Sequence, residues 1–378
     1  MAVTEPPQKE CEAWYSEKGW HFDKNNDFVD KNDKLFDFKK YEAYYEYVHT
    51  RIKDHLFSEM KRQFDLIQQP VSTDDSGDLV DPEDPYVPQI FLSKDVSTNK
   101  NLLVIVQGLG LVPPGQWARK LFTNGKRGEF KYASQFPYIQ KAKELGWAVI
   151  LCDPNHTLKD QQPQSERTRA QHVQRVWEDI VVPSKAESVM IAAFSAGTWS
   201  TLYLFDNNRG EFINRVRGVA LMDGATGAEL LKYRGGLWFK NHSQAFVLNG
   251  RRESLDNVEE VPGKDKWIGL AHARDHDTVP GAAIGRVFKY LKDKLDEYEK
   301  SEEEEHESKE DEESQGDLET PKEDDDKDTG KQGATNSEET EPSQKDSADS
   351  TKTDRDEPAG DRILETQNDG AKRIRLQK

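Results

Sequence analysis

The chain has 378 residues, a formal net charge of −18 and a mean hydropathy of −0.92. Residues 301–378 hold 27 acidic and 12 basic side chains, a net charge of −15, which leaves only −3 for residues 1–300. A nearly neutral folded part gives no electrostatic reason for tight nucleic-acid binding, so we expect no strong direct binding of nucleic acid by this part.

Targeting and metal-binding patterns are absent from the sequence. The first ten residues, MAVTEPPQKE, contain neither a basic stretch nor an apolar one, so no signal peptide is expected. No apolar run approaches the roughly 18 residues that a membrane span needs. The two cysteines, Cys11 and Cys152, form no disulfide framework and no zinc-type spacing. We expect an intracellular protein that binds no membrane, no metal and no cofactor.

The chain begins with polar residues and scattered aromatic ones. Residues 1–39 are predicted to be an extended arm that docks on the following domain. Apolar residues at helical spacing then predict an amphipathic helix within residues 41–67, and residues 71–88, rich in Asp, Pro, Ser and Gly, predict a loop.

Strands and helices alternate from residue 89 onward. The predicted strands are Ile90–Leu92, Asn101–Val106, Trp147–Cys152, Val189–Ala193, Arg217–Met222, Ala245–Asn249 and Trp267–Ala271. One predicted helix begins at Trp117 and another follows Ser195. The others lie around Pro137–Leu145, His172–Ile180 and Ala282–Tyr298. This alternation predicts an α/β fold with a mostly parallel sheet covered by helices on both faces.

The segment SVMIAAFSAGTWSTLYL, residues 188–204, is the most informative in the chain. It predicts a buried strand, a tight turn at Ser195 and an apolar helix, which is the layout of the nucleophile elbow in α/β-hydrolases. Ala193 and Gly197 are small enough for the close approach of strand and helix, although glycine is usual at both places. A serine that only caps the helix is the alternative interpretation.

A hydrolase of this fold needs an acid and a histidine after the serine, in that order. His276, in the loop before the last helix, is the preferred base, and His272 at the strand end is the alternative. The preferred acid is Asp256, followed by Glu253 and then Asp223. The imidazole would accept the serine proton, and the carboxylate would fix the imidazole tautomer.

Two backbone N–H groups are predicted to stabilise an oxyanion. One belongs to Ala196, directly after the serine, and the other to Leu109, in the glycine-containing loop after Asn101–Val106. That loop matches neither the Walker spacing nor the dinucleotide fingerprint, so nucleotide binding is not expected.

The composition changes abruptly after Lys300. Residues 300–378 are rich in acidic residues and contain no aromatic ones, so they are predicted to form a disordered acidic tail. Serines followed by carboxylates, at Ser301, Ser308 and Ser347, are typical substrates of an acidophilic kinase. The terminal AKRIRLQK is a candidate nuclear-import signal.

Five segments in this order resemble the Argonaute-binding (Arb2) domain family, including its cotranscriptional-regulator branch: QGLGLVPPGQWARKLF, WAVILCDPNH, FSAGT, FVLNGRRESLD and HDTVPGAAIGRVFKYL. The similarity covers residues 40–299, which we expect to form one α/β-hydrolase-like domain. The resemblance implies that Ser195 is the family's proposed nucleophile and that His276 is its histidine. Gln107 and Phe194 stand where that pattern usually has histidines.

The resemblance also implies a function. We expect a nuclear regulator, also present in the cytoplasm, that acts with Argonaute and with chromatin or splicing proteins in RNA silencing, heterochromatin assembly or alternative splicing. In this interpretation the serine site is degenerate, and Ser195 is vestigial or weakly active. The alternative is an active intracellular serine esterase or amidase that uses Ser195, Asp256 and His276.

Overall fold

A central eight-stranded sheet organises the chain. The computed structural model describes residues 6–71, 87–156, 165–224, 235–248 and 268–316, all within a unit that spans Met1–Leu318. The strands are β1 (His21–Phe22), β2 (Phe28–Val29), β3 (Leu66–Pro70), β4 (Gln89–Ser93), β5 (Asn101–Val106), β6 (Ala148–Leu151), β7 (Ser188–Phe194), β8 (Val216–Met222), β9 (Ser243–Val247) and β10 (Ile268–Leu270). The first two form a separate antiparallel pair, and the other eight form the sheet.

The strand order across the sheet is β3-β4-β6-β5-β7-β8-β9-β10. Within this sheet β4 runs antiparallel to both neighbours and the remaining pairs are parallel. This order, with a single reversed strand near one edge, is that of the α/β-hydrolase sheet, so the predicted fold class is confirmed. Because parallel strands end at one edge, the loops after β5, β7 and β8 meet there.

Helices cover both faces of the sheet, because the central strands are apolar on both faces. In β5, Leu103 and Ile105 belong to one buried cluster, while Leu102 and Val104 belong to the other. The helices are α1 (Gln8–Lys18), α2 (Tyr45–Phe64), α3 (Phe130–Ala133), α4 (Phe136–Glu144), α5 (Glu166–Val176), α6 (Ala196–Asn207), α7 (Arg209–Arg215), α8 (Gly236–His242) and α9 (Val279–Gly316).

The N-terminal residues are more structured than the predicted extended arm. They form α1, which ends at Gly19 in the left-handed conformation (φ 63°), and then the β1–β2 pair. Trp20, Phe28 and Phe36 are buried in the same cluster as the apolar face of α2. The aromatic residues of this segment therefore serve as core side chains, which an extended chain could not bury together.

Several element boundaries differ from those predicted. Instead of a helix from Trp117, the chain forms a 3₁₀ turn over Arg119–Phe122. α5 begins earlier than predicted because Ser165 caps it, its Oγ accepting the Thr168 N–H at 3.0 Å. α9 continues past the expected boundary at residue 300 to Gly316, through a run of glutamates with good helix propensity. The rest of the predicted tail lies outside the described residues.

Candidate active site

Ser195 lies at the turn between β7 and α6 in a backbone conformation that few side chains adopt. Its φ is 52° and its ψ is −121°, which costs about 1–3 kcal/mol for a residue with a Cβ. The Ser195 N–H donates to the Met222 carbonyl at 2.8 Å, and its carbonyl accepts from the Thr198 N–H at 3.1 Å. This hydrogen-bonded turn is the predicted elbow, and Ser195 makes no side-chain cap of α6.

Glycines allow the elbow to approach the loop after β5. A Cβ on Gly197 would lie 2.4 Å from the Val106 carbonyl oxygen and 2.8 Å from that of Gln107. A Cβ on Gly108 would lie 2.8 Å from the Ser195 Cβ. Contacts this short are not tolerated, so both positions require glycine for steric reasons, and the loop backbone lies directly beside the serine.

A hydrogen-bonded relay joins Ser195 to a histidine and a carboxylate. The His276 Nε2 lies 3.0 Å from the Ser195 Oγ, and the His276 Nδ1 lies 2.6 Å from the Asp223 Oδ2. Because an ionised carboxylate only accepts hydrogen bonds, Nδ1–H donates to Asp223, which leaves Nε2 to accept from the serine hydroxyl. This tautomer is the one that can remove the serine proton.

The electrostatics of Asp223 favour an ionised carboxylate. Partial burial tends to raise its pKa, but the hydrogen bond from His276 and a 3.1 Å hydrogen bond from the Leu248 N–H together lower the pKa below its usual value. The Asp223 backbone has a φ of 45°, and its N–H donates to the Phe246 carbonyl at 2.9 Å. Asp223 directly follows β8 and is held in place by hydrogen bonds to Phe246 in β9 and to Leu248 just after it, as an anion that can stabilise an imidazolium.

His276 is fixed by the turn that starts the last helix. It is the first residue of a 3₁₀ turn, His276–Thr278, which a capping box stabilises: Asp275 Oδ1 accepts the Thr278 N–H at 3.1 Å, and Thr278 Oγ1 accepts the Asp275 N–H at 3.2 Å. The Phe194 ring packs on the imidazole, with centroids 4.7 Å apart. A phenyl ring thus fills the place where the family pattern led us to expect a histidine.

The structure describes His276, His272 and Asp223 among the sequence candidates for base and acid. The imidazole beside Ser195 is that of His276, whereas His272, the alternative, follows β10 with a φ of 53°. The carboxylate beside His276 is that of Asp223, the third choice from sequence. Asp256 and Glu253, which were ranked above it, lie outside the described residues.

Ala196 and Leu109 lie on the two segments that flank the serine. Ala196 is the first residue of α6, and in the described part of the chain the backbone N–H groups of Ala196 and Leu109 donate to no backbone carbonyl. Asn155 holds the Leu109 loop, with Nδ2 donating to the Gly108 carbonyl at 2.7 Å and to the Val112 carbonyl at 3.3 Å. The buried Gln107 amide also donates to Val112, at 3.3 Å.

Asn155 is a residue of the site whose role sequence reasoning missed. The signal was available, because Asn155 lies in WAVILCDPNH, one of the five segments that carry the family resemblance. The sequence does not show, however, that an asparagine after β6 reaches the loop after β5.

A separate cavity of about 250 Å³ lies between α2 and the loop after β5, and Ser195 does not line it. At its floor, burial raises the pKa of Asp153 to about 7, although the Gln89 N–H donates to Oδ2 at 3.1 Å. Behind it, burial lowers the pKa of His172 to about 3, and the His172 Nε2 accepts the Asp153 N–H at 2.9 Å.

Among the described residues no cluster of metal-ligand side chains is found, and no helix is long and apolar enough to cross a membrane.

Comparison with known proteins finds relatives in several animals. A Caenorhabditis elegans FAM172 family protein homolog is 31% identical over 210 residues, 54% of this chain and 63% of the worm protein. The Xenopus tropicalis cotranscriptional regulator ARB2A homolog is 26% identical over 267 residues, 54% of this chain and 61% of the frog protein. The human cotranscriptional regulator ARB2A is 26% identical over 188 residues, 35% of this chain and 44% of the human protein. The matches thus span less than two thirds of these relatives.

Solved structures resemble the chain more distantly. A histone deacetylase from Saccharomyces cerevisiae has 11% identity and a TM-score of 0.44, and the match covers 66% of this chain and 98% of that one. An α/β-hydrolase-fold protein of unknown function has 19% identity and a TM-score of 0.26, over 43% of this chain and 50% of that one.

The model of the Arb2 domain matches residues 24–252, which include Ser195 and Asp223. His276 follows the matched residues. The match confirms the resemblance found in the sequence, and the chain belongs to the Arb2 domain family.

Proposed function

We propose that Ser195, His276 and Asp223 form the catalytic triad of a serine hydrolase that cleaves an ester or an amide. The observation that carries this proposal is the bridging imidazole, 3.0 Å from the serine oxygen and 2.6 Å from the carboxylate. A helix-capping serine would need neither partner, nor the unusual backbone conformation of the elbow.

The reaction follows from these contacts. The Ser195 Oγ attacks the substrate carbonyl carbon as its proton passes to the His276 Nε2, and the N–H groups of Ala196 and Leu109 stabilise the oxyanion. Collapse of the intermediate breaks the bond to the leaving group, which takes the proton from Nε2. Water then attacks the acyl-serine, giving its proton to Nε2, and the bond between the acyl carbon and Oγ breaks. Oγ takes the proton from Nε2, which restores the serine as the acid product leaves. Asp223 stays ionised and stabilises the imidazolium.

The two departures from the family pattern are compatible with this chemistry. Gln107 contributes an amide that hydrogen-bonds within the oxyanion loop. Phe194 packs on the imidazole without occupying either of its nitrogens, both of which are engaged in the relay. An active esterase or amidase is therefore the function that the geometry supports best.

Ester hydrolysis tests the proposal. Wild-type protein is mixed with p-nitrophenyl esters of increasing acyl length, and release of p-nitrophenol is measured alongside Ser195→Ala and Ser58→Ala. Ser58, exposed on α2, is the matched control for removal of a hydroxyl. We expect turnover by wild type and Ser58→Ala and none above background by Ser195→Ala. Equal rates in all three proteins would overturn the assignment.

A second function, regulation in the nucleus, is favoured by the relatives that are named cotranscriptional regulators. We propose that this chain acts with Argonaute and with chromatin or splicing proteins, in RNA silencing, heterochromatin assembly or alternative splicing, and that it is also present in the cytoplasm. We propose further that an acidophilic kinase phosphorylates the acidic segment from Ser301 onward.

Affinity purification followed by mass spectrometry tests the regulatory role. Wild type and Ser195→Ala should both recover Argonaute, chromatin or splicing proteins if the domain binds partners independently of catalysis. Recovery by wild type alone would make binding depend on the serine. Absence of all three classes from both preparations would contradict the regulatory proposal.

A further inference from the structure

The side of α9 near its middle faces a second cavity, away from Ser195. Lys294, Tyr298 and Ser301 lie on one stripe of the helix at spacings of four and three residues, and all three line a cavity of about 240 Å³. The opposite wall includes Arg217 from β8 and His242 from the end of α8. Two cationic side chains, Arg217 and Lys294, thus line a cavity together with the Glu297 carboxylate, and the exposed Ser301 opens into it.

Arg217 carries a positive charge, and among the described residues the carboxylates of Glu302 and Glu187 act on it only from beyond ion-pair distance. Among the described residues it forms no ion pair; its Nη2 donates to the Glu187 carbonyl at 2.7 Å and its Nε to the Ser188 hydroxyl at 3.3 Å. Its guanidinium lies 3.5 Å from the centroid of the Tyr298 ring. Partial burial lowers the pKa of Arg217, a sign that the cation is incompletely solvated. An anion beside this guanidinium would therefore be attracted more strongly than an anion at an open surface.

Ser301 is placed to carry such an anion. Its Oγ donates to the Tyr298 carbonyl at 2.7 Å, so the side chain points back toward the preceding turn. Side chains on a helix lean toward its N-terminus, and that direction leads to Tyr298 and the guanidinium stacked on it. The four residues after Ser301 are all glutamates, the context that acidophilic kinases prefer.

We propose that Ser301 is a phosphorylation site whose phosphate binds in this cavity to Arg217 and Lys294, fastening α9 to β8. In the modification, a kinase transfers the γ-phosphoryl group of ATP to the Ser301 Oγ. The bond between that phosphorus and the ADP oxygen breaks, the bond to Oγ forms, the hydroxyl proton is released and ADP leaves. The site is independent of the hydrolase proposal, because none of its residues contacts the Ser195 relay.

Because Ser301 lies among acidic residues, the direction in which phosphorylation changes the stability shows whether the phosphate reaches the cavity. Glu297 already pairs with Lys294 at 2.6 Å, and Glu302 follows Ser301 directly. A phosphate that remained in solvent would be repelled by these carboxylates and would weaken the helix. A phosphate that reached Arg217 and drew Lys294 away from Glu297 would form charge-assisted hydrogen bonds and strengthen the packing.

The experiment uses the full chain with phosphoserine incorporated at residue 301, in the wild-type and Arg217→Gln backgrounds. Thermal unfolding and amide hydrogen exchange over residues 290–306 are measured against the unmodified protein of each background. We expect phosphoserine 301 to raise the Tm by about 2 °C or more and to slow exchange several-fold in the wild-type background only. Comparison within each background removes the structural cost of losing Arg217.

Phosphoserine at Ser308, which also lies among acidic residues, is the control and should not reproduce the gain. The proposal is overturned if phosphoserine 301 leaves the Tm unchanged or lowers it. It is equally overturned if the gain persists in Arg217→Gln, or if Ser308 gives the same gain, because the phosphate would then act through general charge.

Discussion

At the scale of single residues, the site depends on two backbone conformations that side chains rarely adopt. Ser195 has a φ of 52° and Asp223 a φ of 45°, and the two residues end adjacent strands. Their backbone hydrogen bonds run to β8 and β9, so the sheet itself holds both in place. Strain of this kind persists only where the surrounding structure enforces it, and it is concentrated at functional sites.

Asp223→Asn should lower the esterase kcat by about 10⁴-fold, because an amide cannot hold the His276 tautomer or stabilise the imidazolium. Asp256→Asn, the change at the acid ranked first from sequence, should leave kcat near the wild-type value. Steady-state kinetics on the best p-nitrophenyl ester distinguishes the two. Loss of activity in Asp256→Asn with activity retained in Asp223→Asn would show that the acid lies in the loop after β9.

The sequence located the serine and the histidine of the relay more easily than the acid. Ser195 can be recognised because small residues flank it between an apolar strand and an apolar helix. His276 can be recognised because it lies in the loop before the last helix. Three carboxylates follow a predicted strand and also satisfy the required chain order, however, and only the three-dimensional positions of the loops decide which one reaches the imidazole. Asp223 is the last choice from sequence because it lies at the end of an earlier strand, but in the structure its backbone has a φ of 45° and its carboxylate contacts His276.

At the scale of secondary-structure elements, the close approach of α6 to the end of β5 builds the site. Gly197 permits this approach, since its backbone faces the Val106 and Gln107 carbonyl oxygens. The strands from β4 to β9 were predictable, because their apolar runs are buried on both faces of the sheet, whereas β1, β2 and β3 were not predicted. The turns around the strands were not predictable: the 3₁₀ turn after Trp117 forms where tertiary packing buries that tryptophan.

Gly197→Ala should destabilise the fold by about 1–3 kcal/mol, because the new methyl group would overlap two backbone oxygens that cannot move independently of β5. Gly210→Ala in α7 is the matched control, since a Cβ there meets nothing within 4 Å. It should be neutral or stabilise by up to about 1 kcal/mol through helix propensity. Urea unfolding measures both, and similar free energies of unfolding for the two variants would contradict the proposed packing.

At the scale of the whole molecule, buried titratable groups near the cavity between α2 and the loop after β5 link stability to pH. The folded-state pKa of Asp153 is about 7, above the unfolded value of about 3.9. The folded state therefore binds this proton more tightly, and the stabilisation from protonation decreases as pH rises from about 4 to about 7. The depressed pKa of His172 acts in the opposite direction at acidic pH, and stability from that group is lost as pH falls from about 6.5 toward 3.

Comparison of Asp153→Asn with wild type should isolate the contribution of the Asp153 carboxylate to the pH dependence of stability. The contribution of His172 is common to both proteins and cancels. The variant should be more stable than wild type above pH 7, by on the order of 1–4 kcal/mol, with the difference shrinking toward zero near pH 4. Chemical denaturation at pH 4, 5, 6, 7 and 8 measures this profile. A difference that does not change with pH would contradict the raised pKa.

The central claim is that His276 and Asp223 activate Ser195 as a nucleophile, and covalent capture tests this most directly. Full-length wild type, Ser195→Ala, His276→Ala and Ser58→Ala are treated with a fluorophosphonate, and the adduct is located by peptide mass spectrometry. We predict one adduct, on Ser195, in wild type and Ser58→Ala, none on Ser195→Ala, and strongly slowed labelling of His276→Ala. Folded wild type that remains unlabelled, or that is labelled at another residue, would contradict the claim.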